Sequence, residues 1–319
     1  MNIQELHEIP FALVFPGQGS QAVGMGKDIY DISTEAREVF DEADRLLGIS
    51  LSDLCFNGPA DQLEGTWNAQ PALLTMSIAA LAYLHAQADE QGVTLAPVVT
   101  AGHSLGEFTA LVASRAISFA DALQLVRERG RLMKEAGDER PGGMAAVLGM
   151  DDEALASVVE EAGSRGVVLI ANANCPGQTV ISGEIPALEA AMDLAKQRGA
   201  RRVTRLPVSI ASHSPLMEGA SRQLVAHLDT VEFHDPRIPI VGNVSASAIS
   251  TVGGIREELV HHMERPVNWT DSVHEMIDMG ATTFVELGPG NVLSGLIKRI
   301  DREVATVSLK DLIPETPTT

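Results

Sequence analysis

The amino-acid sequence predicts an α/β fold with a mainly parallel sheet and a small inserted unit. Short apolar runs alternate with amphipathic helical patterns through most of the 319 residues, and this alternation favours a parallel sheet. A stretch rich in Gly, Pro and charge, GDERPGG at 137–143, interrupts it. The runs that follow have the order β-α-β-β-α-β, which is typical of a ferredoxin-like fold. We therefore expect a large domain formed by 1–138 and 208–319 and a small domain formed by 139–207.

Each predicted element follows from a local pattern. Strands are predicted from short apolar runs and helices from apolar positions three and four residues apart. In the large domain the elements are a strand in 11–15, a helix in 33–48, a strand in 96–102, a helix from Leu105, a helix from Ser118 to about Ala136, and strands in 238–245 and 282–288. In the small domain they are strands in 144–150, 167–174, 178–183 and 201–209, with helices in 151–163 and 186–198.

The composition argues against several classes of protein. The formal net charge of −20 argues against nucleic acid or an anionic membrane as a partner. Cys55 and Cys175 are expected to be small core residues, because their separation matches no metal motif. Polar side chains interrupt the apolar stretch at 71–88, which predicts a buried helix and not a membrane span. The N-terminus does not resemble a secretory signal, so we expect a cytoplasmic protein.

A glycine-rich loop, FPGQGSQ at 15–21, follows the first predicted strand. Gly17, Gly19 and Ala22 fit G-x-G-x-x-A, a fingerprint of loops that bind dinucleotide pyrophosphates in dehydrogenases. That fingerprint also requires a second strand that ends in an acidic residue, whereas residues 34–47 are strongly helical. We therefore expect these glycines to let the backbone approach a substrate closely.

The motif GHSLG at 102–106 fits G-x-S-x-G and lies between a predicted strand and a predicted helix. This is the context of a nucleophile elbow, in which small residues let the backbone turn tightly and expose the serine. The N–H groups at the start of the following helix can stabilise an oxyanion. Ser104 is therefore the candidate nucleophile, and the alternative is a structural turn.

A nucleophilic serine needs a base, and the chain contains nine histidines. His213 lies in a predicted strand-end loop before a helix that begins with proline, where catalytic side chains of α/β folds cluster. His103 adjoins Ser104, but consecutive side chains in such a turn usually point apart. His261 and His262 lie in a charged helical stretch, and we expect them on a solvated face. Position alone leaves His213 open as the base.

Arg129 lies near the centre of the apolar stripe of its predicted helix, whereas Arg127 and Arg131 lie on the opposite face. A guanidinium stays charged when it is buried, so it needs an anion beside it. That anion is either an internal carboxylate such as Glu107 or the carboxylate of a substrate. The pattern leaves both interpretations open.

Seven sequence blocks occur in order along the chain and together resemble one family. They are FPGQGSQ, GHSLGE at 102–107, RG at 129–130, NANCPGQTVISG at 172–183, ASHSPLM at 211–217, PVNWTDSV at 266–273 and ELGPGNVLSGL at 286–296. The chain resembles the malonyl-CoA:acyl carrier protein transacylases of bacterial fatty acid synthesis from about Phe11 to Leu309. The resemblance implies a hydrolase-like α/β large domain with a ferredoxin-like insert.

The resemblance also implies a role for each candidate residue. Ser104 would take malonyl from coenzyme A as a serine ester, and His213 would act as general base and then as general acid. Arg129 would bind the malonyl carboxylate. The backbone N–H groups of Gln18 and Leu105 would form the oxyanion hole, with Gln18 also contacting the substrate.

The implied partners are malonyl-CoA and acyl carrier protein, in a ping-pong mechanism. The coenzyme A thioester is a substrate, so we expect no permanently bound cofactor, no metal and a monomeric protein. The backbone carbonyl of Asn268 would orient His213, although many relatives have Gln at this position. We expect malonyl as the acyl group, while IASH at 210–213 keeps a methylmalonyl-selective or polyketide-pathway acyltransferase open, and a serine thioesterase or a non-enzymatic binding protein is a weaker alternative.

Because carrier proteins are acidic, docking requires a local basic surface on this acidic chain. The stretch KQRGARRVTR at 196–205 is the strongest candidate, and the alternative is a solvated face with intramolecular ion pairs. Its five basic residues, called the basic cluster below, are Lys196, Arg198, Arg201, Arg202 and Arg205.

Overall fold

The computed structural model describes residues 2–313, which form two β-sheets with helices around them. The strands are β1 (Phe11–Phe15), β2 (Val99–Gly102), β3 (Gly142–Leu148), β4 (Val168–Cys175), β5 (Gln178–Glu184), β6 (Arg202–Arg205), β7 (Ile240–Val241), β8 (Ala248–Ile249), β9 (Thr283–Glu286) and β10 (Ala305–Ser308). The helices are α1 (Ile3–His7), α2 (Lys27–Ile32), α3 (Thr34–Leu47), α4 (Leu51–Asn57), α5 (Ala60–Glu64), α6 (Thr66–Glu90), α7 (Gly106–Ala113), α8 (Phe119–Glu139), α9 (Asp152–Ala162), α10 (Ile185–Gln197), α11 (Glu218–Leu228), α12 (Val252–His261), α13 (Trp269–Asp278), α14 (Val292–Ile300) and α15 (Leu309–Leu312). Short 3₁₀ helices span Gly163–Arg165 and Pro215–Met217.

The larger sheet has six strands in the order β10-β9-β1-β2-β7-β8. All neighbouring pairs are parallel except the pair of β7 with the edge strand β8. The strand β1 is buried along its whole length, with Leu13 and Phe15 in the core on one face and Ala12 and Val14 in the core on the other. Burial on both faces is what a parallel sheet covered by helices requires. The prediction of a mainly parallel sheet is confirmed.

The smaller sheet contains β3 to β6 in the order β4-β5-β3-β6, and every neighbouring pair is antiparallel. With α9 and α10 the chain order is β-α-β-β-α-β, as the sequence predicts for a ferredoxin-like insert. A separate apolar core lies between this sheet and its two helices, formed by residues such as Leu155, Ile181 and Leu188. The division of the chain into two domains at 139 and 207 stays a prediction.

Main-chain hydrogen bonds join the two parts of the molecule. Val267 donates from its N–H to the carbonyl of Ala171 at 2.9 Å, and its own carbonyl accepts from the N–H of Ala173 at 2.9 Å. Both alanines lie in β4, whereas Val267 lies just before α13. These contacts hold β4 against the segment that precedes α13, and Asn174 of β4 also lies 2.8 Å from His103, the neighbour of Ser104 in the chain.

The long helix α6 contains the apolar stretch at 71–88, and most of its residues are buried. The interpretation of this stretch as a buried helix is therefore confirmed. Within residues 2–313 no helix is long and apolar enough to cross a membrane. Cys55 and Cys175 are both buried and free, as predicted.

Several element boundaries differ from the sequence prediction, and three of these differences have a clear local cause. The strand β6 ends at Arg205, because Pro207 lacks the N–H that would continue the ladder. The strand β7 has two residues, because the chain turns after Val241 and returns as β8. The helix α8 continues to Glu139, just before Pro141 ends the helical path.

Candidate active site

Ser104 lies at a sharp turn between the end of β2 and the start of α7. Its φ angle of 49° places it in the left-handed region, which a non-glycine residue rarely adopts. A Cβ atom on Gly102 would lie 1.9 Å from the carbonyl of Gly106, and one on Gly106 would lie 2.0 Å from the carbonyl oxygen of Phe15. The two glycines are therefore required for the backbone to turn this tightly, as the elbow motif predicts.

His213 faces the serine at hydrogen-bonding distance. Its Nε2 atom lies 2.8 Å from Ser104 Oγ, and its Nδ1 atom lies 3.1 Å from the carbonyl oxygen of Arg265. Because the carbonyl can only accept, Nδ1 carries the proton and Nε2 presents its lone pair to the serine hydroxyl. The structure therefore brings together the nucleophile and the base that the sequence singled out, in the geometry of a Ser–His pair.

The carbonyl beside His213 Nδ1 belongs to Arg265 and not to Asn268, so the expected role of Asn268 is wrong for this structure. Asn268 is the residue before α13, and its carbonyl accepts from the N–H of Ser272 in the first turn of that helix. Its side chain donates to the carbonyl of Val244 at 2.8 Å. The carbonyl is thus already used by the helix, as is usual for a residue at this position.

The electrostatic surroundings keep His213 neutral. Burial lowers the pKa of this imidazole to about 3, and the positive charge of Arg129 acts in the same direction. The side chain is 3% exposed, so the charged form is poorly solvated. A neutral imidazole with its lone pair toward a hydroxyl is the form that can accept the serine proton.

Arg129 is 1% exposed and forms no ion pair with a carboxylate of the described part of the chain. Its Nη1 donates to Gln70 Oε1 at 2.8 Å and its Nη2 donates to Ser104 Oγ at 3.3 Å, while Nε has no hydrogen-bond partner among residues 2–313. Burial lowers the pKa of the guanidinium to about 10, and the nearby Glu107 opposes this shift. The internal ion pair with Glu107 that the sequence left open does not form. A buried guanidinium with unused donors beside Ser104 can bind an anion.

The two candidate oxyanion donors lie on either side of Ser104. Leu105 follows the serine directly, and the loop containing Gln18 packs against the elbow, since a Cβ on Gly17 would lie 2.4 Å from the carbonyl oxygen of His103. Within residues 2–313, neither the N–H of Gln18 nor that of Leu105 donates a hydrogen bond. The side chain of Gln18 donates to Thr66 Oγ1 at 3.1 Å. Both N–H groups are thus free to bind an oxyanion.

His262 corrects another expectation, because it is fully buried and not on a solvated face. The helix α12 ends at His261, so His262 turns inward, where its Nε2 lies 3.1 Å from the carbonyl oxygen of Ser104. Its ring centre lies 6.0 Å from that of His213. Because charged residues surround His262 in the sequence, the local pattern does not predict that it is buried.

Asn243 and Gln70 also lie at the site and were missed from the sequence. Asn243 Oδ1 accepts from the N–H of Ser104 at 2.6 Å, and Gln70 binds Arg129 as described above. Gln70 is fully buried and directly precedes the apolar stretch 71–88, and this position is the only feature of the sequence that points to it. Asn243 lies after β7, in a polar segment that resembles an ordinary turn.

The basic cluster is partly neutralised by neighbouring carboxylates. Lys196 pairs with Asp193 at 3.0 Å, Arg205 pairs with Glu189 at 3.4 Å, and Arg198 pairs with Glu161. Arg201 and Arg202 pair with no carboxylate of the described residues. The interpretation as a face with intramolecular ion pairs thus fits three members of the cluster and not the other two.

The comparison with known proteins fits this geometry. A family model described as an acyl transferase domain matches residues 12–317. The chain belongs to this family. The malonyl CoA-acyl carrier protein transacylase of Bacillus subtilis (strain 168) is 47% identical over 306 residues, which cover 96% of this chain and 94% of that protein. As a member of the acyl transferase family, the chain is an acyltransferase.

Solved structures of acyl transferases resemble the whole described fold. The malonyl CoA-acyl carrier protein transacylase of Coxiella burnetii superposes with a TM-score of 0.90 at 38% identity, covering 94% of each chain. A chain from the complex of a type II PKS acyl-carrier protein with its malonyl-transacylase gives a TM-score of 0.89 at 40% identity, covering 94% of this chain and 95% of that chain. The acyl transferase fold expected from the sequence is confirmed.

Proposed function

We propose that the protein transfers malonyl from malonyl-CoA to the phosphopantetheine thiol of an acyl carrier protein. The observation that carries this proposal is Arg129, a buried guanidinium with unused donors that pairs with no carboxylate of residues 2–313 and lies 3.3 Å from Ser104 Oγ. A malonyl thioester has a carboxylate two carbons from the reacting carbonyl. Ser104 can therefore attack the carbonyl while Arg129 binds the carboxylate of the same acyl group.

In the first half-reaction, Ser104 Oγ attacks the thioester carbonyl while His213 Nε2 takes the hydroxyl proton. The carbonyl oxygen becomes an oxyanion, which the free N–H groups of Gln18 and Leu105 bind. The tetrahedral intermediate then collapses, and His213 returns the proton to the leaving coenzyme A sulfur. The product is a malonyl ester of Ser104.

In the second half-reaction, the thiol of the carrier protein's phosphopantetheine arm replaces coenzyme A. His213 takes the thiol proton, the sulfur attacks the ester carbonyl, and the proton returns to Ser104 Oγ as the ester bond breaks. The same oxyanion donors serve both steps, because the tetrahedral centre forms at the same atom. This order predicts ping-pong kinetics.

We further propose that the carrier protein docks on the basic cluster. Arg201 and Arg202 carry positive charge that no carboxylate of the described residues neutralises, and carrier proteins are acidic. Arg202 begins β6, at the edge of the smaller sheet. The strand β4 forms the opposite edge of the same sheet.

The direct test is intact-mass analysis of the protein after brief mixing with malonyl-CoA. We expect the mass to rise by one malonyl group, the Ser104→Ala variant to show no change, and added carrier protein to remove the group in exchange for its own malonylation. Loss of malonyl to water faster than to the carrier would instead indicate a thioesterase. A higher kcat/KM with methylmalonyl-CoA than with malonyl-CoA would overturn the choice of acyl group.

A further inference from the structure

The backbone of Ser104 is strained and needs external support. A non-glycine residue in the left-handed region costs about 1–3 kcal/mol and persists only when its surroundings determine its conformation. The φ angle of Ser104 is 49°, and the chain on both sides of it turns sharply. Three buried polar side chains with no place in the acyl-transfer steps surround this peptide. They are Glu107, Asn243 and His262.

Asn243 bridges the two peptide groups before the nucleophile. Its Oδ1 accepts from the N–H of Ser104 at 2.6 Å, and its Nδ2 donates to the carbonyl oxygen of Gly102 at 2.6 Å. Only this orientation of the side-chain amide pairs a donor with an acceptor at both positions. The residue is 1% exposed and follows β7, the neighbour of β2 in the sheet.

His262 holds the peptide group after the nucleophile. Its Nε2 lies 3.1 Å from the carbonyl oxygen of Ser104 and 3.6 Å from a carboxyl oxygen of Glu107. Because both neighbours are acceptors, Nε2 carries the proton and donates. The carbonyl of a residue in the left-handed conformation is thereby fixed from outside the elbow.

Glu107 joins these two supports. Its Oε2 accepts from the backbone N–H of Asn243 at 2.9 Å and is the same oxygen that faces His262 Nε2. The carboxyl group lies in the first turn of α7 and is 2% exposed. One buried carboxyl group therefore contacts both residues that hold the Ser104 backbone, through a hydrogen bond to the main chain of Asn243 and at 3.6 Å from the ring of His262.

We propose that Glu107, Asn243 and His262 are positioning residues that hold the main chain of Ser104 in its left-handed conformation. The hydroxyl then faces His213, and the N–H of Leu105 stays free for the oxyanion. Since the N–H of Ser104 is bonded to Asn243, it cannot serve as an oxyanion donor. This inference rests on the proposed function only for which acyl group Ser104 carries. The reactivity of the serine does not depend on that function.

The test measures how fast Ser104 reacts with a fluorophosphonate, a reagent that reports serine activation without malonyl recognition. We expect Asn243→Ala to slow labelling about 10²-fold, because a misplacement of about 1 Å has an effect of that size. The matched control is Ser272→Ala, since Ser272 is equally buried and bonds the carbonyl of Gly242 without contacting Ser104. Equal slowing in both variants would overturn the proposal.

A rescue pair keeps the proposal testable if Asn243→Ala does not fold. His262→Gln retains an N–H donor for the Ser104 carbonyl and should label faster than His262→Ala by at least about tenfold. In a Ser104→Ala background, Asn243→Ala should leave the malonyl-CoA dissociation constant within about twofold, because Arg129 is untouched. Equal labelling of the two His262 variants would contradict the inference. A wild-type protein that labels with fluorophosphonate but not with malonyl-CoA would contradict only the proposed function.

Discussion

We propose that Arg129 gives this site its preference for an acidic acyl group. Replacing it by Met removes the charge at nearly constant volume, and a charge-assisted hydrogen bond contributes about 1.5–3 kcal/mol. We expect Arg129→Met to lower kcat/KM for malonyl-CoA about 10²-fold while acetyl-CoA transfer does not fall. Steady-state kinetics with both thioesters provide the measurement.

Arg131 is the matched control for that prediction. It lies two residues further along α8 on the opposite face and pairs with Glu128 and Glu135 at the surface. Arg131→Met should leave both activities unchanged. A parallel loss of acetyl transfer in Arg129→Met would show that this arginine supports the nucleophile and does not select the substrate.

Several of these residues were visible in the sequence because a strict local geometry requires them. Ser104 is marked by its two glycines, and Arg129 by a charge in the middle of an apolar stripe. Asn243 and His262 carry no such mark, because their roles come from contacts with residues more than a hundred positions away. The wrong prediction for Asn268 has the same cause. The backbone carbonyls of Arg265 and Asn268 are equivalent in the sequence, and only the folded chain places that of Arg265 beside His213.

At the scale of elements, the crossing of α7 over β1 depends on Gly106. A methyl group there would lie 2.0 Å from the carbonyl oxygen of Phe15, which is backbone and cannot move aside cheaply. We expect Gly106→Ala to reduce the free energy of unfolding by more than about 2 kcal/mol and to abolish labelling of Ser104. Urea unfolding followed by circular dichroism measures the first effect.

Gly219 provides the comparison for this substitution. It lies in α11, and a Cβ there would have no neighbour within 4 Å among residues 2–313. Gly219→Ala should therefore stabilise the protein by about 0.5–1 kcal/mol, since Gly is the weaker helix former. The prediction about the crossing fails if both alanine variants unfold at the same urea concentration.

The order of elements was predictable from the sequence, whereas their ends and pairing were less so. Hydrophobic periodicity predicts the strands and helices of both sheets, because burial on one or two faces leaves a repeating pattern. The two-residue strand β7 leaves too little pattern to define its length. The polar turn after β7 nevertheless supplies Asn243 to the site. It can do so because β7 lies beside β2 in the sheet.

At the scale of the whole molecule, buried neutral histidines couple folding to pH. The pKa of His213 is about 3 in the folded protein and 6.5 in its ordinary state, so between these values the unfolded chain binds an extra proton. The contribution of neutral His213 to the free energy of unfolding is therefore fully present above pH 6.5 and is lost as the pH falls below that value. Burial lowers the pKa of His103 and His262 in the same direction.

For His213 alone, the loss amounts to about 2 kcal/mol between pH 6.5 and about pH 5, since each pH unit contributes about 1.4 kcal/mol. The urea midpoint should fall over this range, and it should fall less in His213→Asn. The linkage is contradicted if the variant and the wild type lose the same stability on acidification.

The proposed carrier-binding face also belongs to the scale of the whole molecule, because it concerns charge distribution. Arg201→Glu together with Arg202→Glu should slow malonyl transfer to the carrier at least about tenfold at low salt, and the effect should shrink as salt is added. Arg222→Glu, on α11, serves as the control. Unchanged transfer at low salt in the double variant would make the docking proposal wrong.

Positive φ angles have a consequence for how such a protein can evolve. Within residues 2–313, four non-glycine residues have positive φ, and they include both Ser104 and His213. Glycine would relieve the strain at Ser104, so selection for thermal stability alone would favour its appearance there. At His213 glycine would instead leave a cavity in place of a buried ring. A library of variants sorted only by resistance to heat is therefore expected to lose the proposed nucleophile Ser104, and only a simultaneous demand for acyl transfer would retain it.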